Sequence, residues 1–101
     1  MKIVYRPAAV SDIQNAADYI SNVLKNPAAA DKFKDRILAG IALLRDNPRM
    51  GVLLSDKYES VKNDFRLIVI NKHLVFYRLY DEIVEIVRVL DGRTDYLSHL
   101  F

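Results

Sequence analysis

The sequence contains no cysteine, no long apolar run and no strong excess of either charge. Without cysteine the chain can form neither a disulfide bond nor a thiolate metal site. No run of about 18 apolar residues is present, so no membrane-spanning helix is predicted. Arg6 and Pro7 interrupt the N-terminal segment too early for a signal peptide. A cytoplasmic protein with no cofactor, no metal and no membrane partner is therefore expected, and its two histidines do not form a convincing metal site.

The charge balance also limits the possible partners. Fifteen Lys and Arg residues stand against 13 Asp and Glu residues, and they form no polybasic stripe. Tight, sequence-independent binding to nucleic acid depends on clustered basic side chains. Such a role would therefore need local clustering that the net charge of +2 conceals.

The chain has enough apolar sequence for one folded domain. Its 101 residues are 51% hydrophobic and include six tyrosines and four phenylalanines. This composition argues against disorder, and the length suits one core. A single domain over residues 1–101 is predicted, too small for separate catalytic and regulatory parts.

The N-terminal half predicts a strand followed by two helices. Lys2 to Tyr5 alternates like an edge strand, and a helical apolar period follows from Ala8. Asn26-Pro27 suits the end of one helix and the start of the next, and Asn47-Pro48 ends the second helix. Gly40, inside that helix, predicts a close approach to the first helix or to the sheet. The two apolar stripes are Ile13, Ala16, Ala17, Ile20, Val23 and Leu24, then Ala30, Phe33, Ile37, Ile41 and Leu44.

Three β-rich runs between Phe65 and Tyr96 predict an antiparallel meander after a loop from about Arg49 to Asn63. Two-residue turns at Asn71-Lys72 and Asp81-Glu82 would place Arg78 opposite Glu85. One face, predicted to pack on the helices, carries Phe65, Leu67, Val69, Leu74, Phe76, Val87 and Val89. The other, predicted to meet a partner, carries Ile68, Val75, Ile86, Arg66, His73, Tyr77 and Arg88.

Together these elements predict an α+β fold with two layers. An N-terminal strand and a helical hairpin pack on a mainly antiparallel sheet of about four strands, in the order β-α-α-β-β-β. The strand arginines need partners, because long cationic side chains on buried elements are costly. Glu85 is the simplest partner for Arg78, and Asp64 is a possible partner for Arg66. Arg88 has three acidic candidates, namely Asp91, Asp95 and the Phe101 carboxylate.

Several segments together resemble the RelE/ParE superfamily of bacterial toxins. They are NPAAA at the helical turn, DNPRMG after the second helix, HLVFYR, and VEIVRVLDGRTDY, of which RVLDGRTDY is the most specific. The resemblance spans nearly the whole chain. It implies the toxin of a type II toxin–antitoxin system, whose partners are a cognate antitoxin protein and a macromolecular target. No small-molecule substrate is implied.

The superfamily contains two activities on a similar scaffold. RelE-like members cut messenger RNA on the ribosome, and ParE-like members inhibit DNA gyrase without being nucleases. Leu74 and Ile68 stand where RelE-like members are expected to carry cations on the sheet. Metal-free RNA cleavage needs a base, an acid and cations near the phosphate. In this sequence the nuclease alternative depends on Arg66, Arg93, Tyr96 and His99.

The ParE-like branch is the preferred interpretation. Tyr77-Arg78, the VRVL segment around Arg88 and the tail from Gly92 to Tyr96 resemble ParE-like sequences. Gyrase inhibition would be a binding function without catalytic residues, so the preferred interpretation is not an enzyme. The alternative is a metal-independent mRNA endoribonuclease. The residues predicted to bind the target or the antitoxin are Arg66, Tyr77, Arg88, Arg93 and Tyr96.

Overall fold

The computed structural model describes residues 1–58 and 64–95 and has the predicted α+β architecture. Five strands form one sheet in the order β1-β5-β4-β3-β2, with β1 parallel to β5 and the other neighbours antiparallel. The strands are β1 (Lys2–Tyr5), β2 (Val52–Leu53), β3 (Arg66–Ile70), β4 (His73–Tyr80) and β5 (Ile83–Asp91). The helices are α1 (Pro7–Asp18), α2 (Pro27–Ala42) and the single turn α3 (Leu54–Lys57), with a π-helical segment at Tyr19–Val23 and a 3₁₀ turn at Leu43–Arg45.

One expectation about the element list needs correction and another is confirmed. The segment predicted as a loop between Arg49 and Asn63 contains β2 and α3, which are too short to produce a periodic pattern. The predicted edge position of the N-terminal strand is confirmed, because β1 pairs only with β5 at one end of the sheet. Within the described residues, no helix is long and apolar enough to cross a bilayer.

The start of α2 follows from local sequence. The Asn26 side chain accepts a hydrogen bond from the Ala29 N–H at 3.1 Å, and Pro27 occupies the first helical position. Phe33, Ile37 and Ile41 then lie on the buried face, where each contributes about 1.5–3 kcal/mol by burial. The predicted cap and the predicted second stripe are both confirmed.

The first helix changes its winding before it ends. Leu24 N–H donates to the Tyr19 carbonyl at 3.1 Å, which closes a π-helical turn. The wider turn shifts the phase of the side chains, so Val23 and Leu24 are 60% and 56% exposed. Their placement in the buried stripe was wrong, because the prediction assumed regular α-helical winding throughout.

Both predicted hairpin turns are confirmed. Asn71, Lys72, Asp81 and Glu82 all have positive φ, as two-residue type I′ turns require. The predicted register holds throughout β3 and β4, where Arg66 lies opposite Tyr77. Between β4 and β5 it holds from the turn to Tyr77, and an extra residue then shifts it by one. This β-bulge was not predicted.

The assignment of the sheet faces was wrong. The face that packs on α1 and α2 carries Ile68, Val75, Tyr77, Val84, Ile86 and Val89. The opposite face carries Leu67, Phe76, Val87 and Leu90, which form a second cluster with Leu54 of α3. Because both faces are buried, apolar content could not identify the face that meets the helices.

Gly40 brings α2 close to the sheet, as its position in the helix predicted. A Cβ atom there would lie 2.5 Å from Cδ1 of Ile70 at the end of β3. No side chain fits this gap without movement of Ile70. The glycine therefore sets the distance between the two layers.

Candidate functional site

Arg88 connects the sheet edge to the first helix. Strand β1 covers the outer edge of β5 only as far as Ile86, whose carbonyl accepts the Arg6 N–H at 2.9 Å. Beyond that point, Asp12 of α1 accepts the Val89 N–H at 2.9 Å and two Arg88 donors, Nε at 2.7 Å and Nη2 at 2.8 Å. These bonds raise the pKa of the Arg88 guanidinium. The pair fixes α1 against β5.

The partner of Arg88 was not among those expected from sequence. The expected acids were Asp91, Asp95 and the Phe101 carboxylate, and the last lies outside the described residues. Asp12 lies 76 positions away in sequence, so only the fold brings it to Arg88. The side chains of Arg88 and Asp12 are 25% and 12% exposed. Arg88 is therefore largely engaged in holding the fold together.

Tyr77 lies opposite Arg66, and both side chains hold the turn before β2. The buried Tyr77 hydroxyl donates to the Pro48 carbonyl at 2.7 Å and accepts the Gly51 N–H at 2.8 Å. Burial raises the pKa of this phenol, partly offset by the Gly51 N–H and by the charge of Arg66. Gly51 has no side chain here because a Cβ would lie 2.6 Å from the hydroxyl. Tyr77 thus has no exposed surface to offer a partner.

Arg66 bonds carbonyl groups of the same turn. Its Nη1 donates to the Gly51 carbonyl at 2.8 Å and more weakly to the Arg49 carbonyl at 3.4 Å. The expected partner Asp64 instead approaches Arg78 at 3.7 Å. Arg78 does lie opposite Glu85 as predicted, but Glu85 pairs with Arg6 at 3.2 Å. Arg66 lies next to backbone carbonyls and has no carboxylate ion-pair partner among the described residues.

Arg93 is the exposed member of the predicted set. Its side chain is 93% exposed and meets the Asp91 carboxylate at 3.2 Å. Hydrogen bonds from the Arg93 side chain and backbone lower the pKa of Asp91. Tyr96 and His99, the remaining predicted residues, lie outside the described part of the chain.

A cleft of about 390 Å³ lies between the end of the first helix and the end of β5. Its walls include Tyr19, Ile20, Leu24, Leu90 and Arg93. Tyr19 and Leu24 are more than half exposed at its rim because of the π-helical segment. Arg93 adds a cation at the other wall. Asp12 and Asp91 also line the cleft and pair with Arg88 and Arg93. The cleft can therefore hold an apolar side chain beside a charged group.

The sequence of the chain matches one family over almost its entire length. The family, described as the ParE toxin of type II toxin–antitoxin system, parDE, is matched by residues 3–96. The chain belongs to the ParE toxin family. Membership implies a toxin of a type II system with a cognate antitoxin partner. No curated protein matches the chain in sequence.

Solved structures add support for the ParE fold. The chain is similar to one in the chromosomal ParDE TA system from P. aeruginosa, with a TM-score of 0.74 and 18% sequence identity. The similarity covers 90% of this chain and 95% of that chain. At such low identity the similarity concerns the fold alone.

In this ParE family member, the predicted site residues divide between two places. Arg66 and Tyr77 meet at the turn before β2, whereas Arg93 borders the cleft, with Asp12, the partner of Arg88, in its wall. The cleft residues Tyr19 and Leu24 were not predicted, because a disturbed helix end leaves no periodic signal. The available clue was Tyr19 itself, an aromatic residue outside the predicted apolar stripe.

Proposed function

We propose that this ParE family member inhibits growth by binding DNA gyrase, and that its cognate antitoxin neutralises it. In this proposal the chain acts in the cytoplasm, binds a macromolecule and uses no catalytic residue. The observation that carries the proposal is the placement of Ile68 and Leu74. Both are apolar at positions where nuclease relatives are expected to carry cations.

The apolar surroundings of these two side chains also argue against phosphate binding at either position. Ile68 is 8% exposed and packs in the core below the helices. Leu74 is partly buried and packs against the cluster on the opposite face. A phosphate at either position would meet hydrocarbon, which cannot stabilise the charge that grows during RNA cleavage.

The remaining cations of the nuclease alternative also lie far apart. Arg66 is level with Tyr77 on β4, whereas Arg93 follows Asp91, which is level with His73. Tyr77 and His73 are four positions apart, so the backbones of Arg66 and Asp91 are separated by about 13 Å along the strands, at roughly 3.3 Å per residue. They also lie on β3 and β5, on opposite sides of β4. This wide backbone separation favours the binding function over one shared phosphate site.

The cleft suits an antitoxin segment that folds on binding. Its apolar walls and the exposed Tyr19 and Leu24 offer contacts to an amphipathic segment. Arg93 pairs with Asp91 but is 93% exposed, so its guanidinium still offers donors at the edge of the same cleft. We therefore propose that the antitoxin places apolar side chains in the cleft and a carboxylate near Arg93.

The function can be tested by controlled expression of the chain alone in bacteria. We expect growth arrest with induction of a DNA-damage reporter, and rescue when the antitoxin is expressed from a second promoter. Transcript 5′ ends are mapped by primer extension in the same cultures. New 5′ ends within translated messages, without the damage signal, would replace this proposal with the ribosome-dependent nuclease.

A further inference from the structure

The turn between the 3₁₀ segment and β2 is held in one conformation by the sheet. Asn47 N–H donates to the Leu43 carbonyl at 3.0 Å, and Met50 N–H donates to the Asn47 carbonyl at 3.1 Å. Tyr77 and Arg66 add three strong bonds, of 2.7 and 2.8 Å, from β3 and β4. We call residues 45–51 the arginine turn. A surface loop with so many fixed backbone groups is ordered before it meets any partner.

The arginine turn concentrates positive charge that the net charge conceals. It contains Arg45 and Arg49, and Arg66 binds its backbone. Asp46 is the sole acid in the turn. In residues 1–58 and 64–95, no carboxylate forms an ion pair with any of the three arginines.

Apolar side chains are exposed beside these cations. Leu43 is 56% exposed and Met50 is 47% exposed, although both are large enough to be buried in a core. Met and Arg are both enriched at protein-binding surfaces. The mixture fits a segment that presents carboxylates and at least one apolar side chain.

We infer that the arginine turn is the surface by which the toxin docks on an acidic segment of its protein target, with Tyr77 and Arg66 as positioning residues. The inference rests on the proposed function, which supplies the target. Nucleic acid fits less well, because the turn itself has no aromatic side chain to stack on bases. The few cations also fall short of the extended basic track that phosphate binding uses.

This surface is distinct from the cleft. Ile20 and Leu24 in the cleft precede α2, and the arginine turn follows it. The 16 residues of α2 span about 24 Å at 1.5 Å per residue. One partner in the cleft and another on the arginine turn therefore need not share residues. Substitutions in the cleft should therefore affect antitoxin binding, and substitutions in the arginine turn should affect target binding.

The first experiment measures gyrase inhibition by the Arg45→Glu/Arg49→Glu variant. A matched control is Lys32→Glu/Arg36→Glu, which has the same four-residue spacing and charge change at exposed positions of α2. We expect the first variant to need at least tenfold more protein to inhibit supercoiling, with antitoxin affinity changed less than threefold, and the control to match wild type. An unchanged inhibitory concentration for the first variant, or an equal loss in the control, would overturn the inference.

A second experiment does not depend on gyrase. Fluorescence anisotropy measures binding of a labelled nine-residue peptide with Glu-Glu-Leu repeats, and a Gln-Gln-Leu peptide is the control. We expect the wild type to bind the acidic peptide, with affinity falling as salt rises, and the Arg45→Glu/Arg49→Glu variant to lose at least tenfold. Failure of wild type to bind it, or tighter binding of a 12-nucleotide single strand, would refute the acidic-protein interpretation.

The two experiments distinguish failure of the inference from failure of the proposed function. If wild type leaves gyrase unaffected but binds the acidic peptide through the arginine turn, the surface stands and the target is another protein. Tyr77→Phe tests positioning, because it frees the turn without changing its charge. We expect this variant to lose about threefold or more in gyrase inhibition while antitoxin affinity is unchanged. Inhibition equal to wild type in folded Tyr77→Phe would remove the positioning role.

Discussion

The two ends of α2 differ in how their arginines are used. At its start, the helix before it is distorted, the cleft exposes Tyr19 and Leu24, and Arg88 is held by Asp12. At its end, the arginine turn is fixed by Tyr77 and its arginines lack carboxylate partners within the described residues. The first end offers mainly apolar surface with the exposed Arg93 beside it, and the second end offers mainly positive charge.

This difference teaches that residue type alone does not identify a contact residue. Arginine and tyrosine are common at protein interfaces. The polar atoms of Arg88 and Tyr77, however, form hydrogen bonds within the chain. Arg49 is exposed, but its position in a turn did not indicate a binding role. The positions of hydrogen-bond partners decide which arginines remain for other molecules.

Removing Asp12 should cause the largest loss of stability, because it releases α1 from β5 beside the cleft. In Asp12→Ala, Arg88 and the Val89 N–H both lose their acceptor. We expect the free energy of unfolding to fall by about 2–3 kcal/mol, measured by urea denaturation. Asp18→Ala is the control, because Asp18 accepts a hydrogen bond from Gln14 on the exposed helix surface and should change stability by about 0.5 kcal/mol or less. Equal losses in both variants would mean that Asp12 does not tie α1 to the sheet.

The second-largest loss of stability is expected at the arginine turn, which follows α2. Tyr77→Phe removes the hydroxyl and leaves the Gly51 N–H and Pro48 carbonyl without their partner. We expect a loss of about 2 kcal/mol in thermal or urea unfolding. Tyr80→Phe is a matched control, since its hydroxyl bonds Glu85 at an exposed site and should be worth about 0.5 kcal/mol or less. A Tyr77→Phe protein as stable as wild type would contradict the described anchoring of the turn.

A smaller change should sharpen the role of the cleft. Arg93→Ala removes an exposed cation, so folding stability should stay within about 0.5 kcal/mol of wild type. Affinity for the antitoxin should fall about tenfold, equivalent to about 1.4 kcal/mol, as measured by calorimetric titration. Arg36→Ala, at an exposed position of α2, serves as the control. Wild-type affinity in Arg93→Ala would exclude Arg93 from the antitoxin contact.

The smallest expected effect is the pH dependence of the stability contributed by the Asp91–Arg93 pair. The Arg93 side chain holds the pKa of Asp91 below its ordinary value. Because the folded pKa is the lower one, the stabilisation is present above the unfolded value of about 3.9 and is lost as pH falls through the folded pKa. Carboxyl carbon chemical shifts measured by NMR should give a higher Asp91 pKa in Arg93→Ala than in wild type. Identical titration curves would argue against this pair in solution.

The sequence predicted the features that depend on neighbouring residues. The Asn26 cap, the α2 stripe and both two-residue turns follow from local chemistry, and the structure confirms them. Their order was sufficient to predict the α+β fold. Family membership was also accessible, because it depends on the order and spacing of several segments along the chain.

Features that depend on distant residues could not be predicted. Asp12 and Arg88 are 76 positions apart, and nothing in either segment indicates the other. The sheet faces were exchanged because both are buried, one under the helices and one under α3. The exposure of Leu24 depends on a π-helical turn without a sequence signature. The predicted contact residues stay predictions, and the structure adds only their location: Arg66 at the turn before β2 and Arg93 beside the cleft.

The most direct test of the account is a supercoiling assay with purified gyrase and the purified wild-type chain. We predict that supercoiling falls as the chain is added, and that prior addition of the antitoxin restores it. Complete supercoiling at saturating concentrations of a folded, antitoxin-binding chain would contradict gyrase as the target.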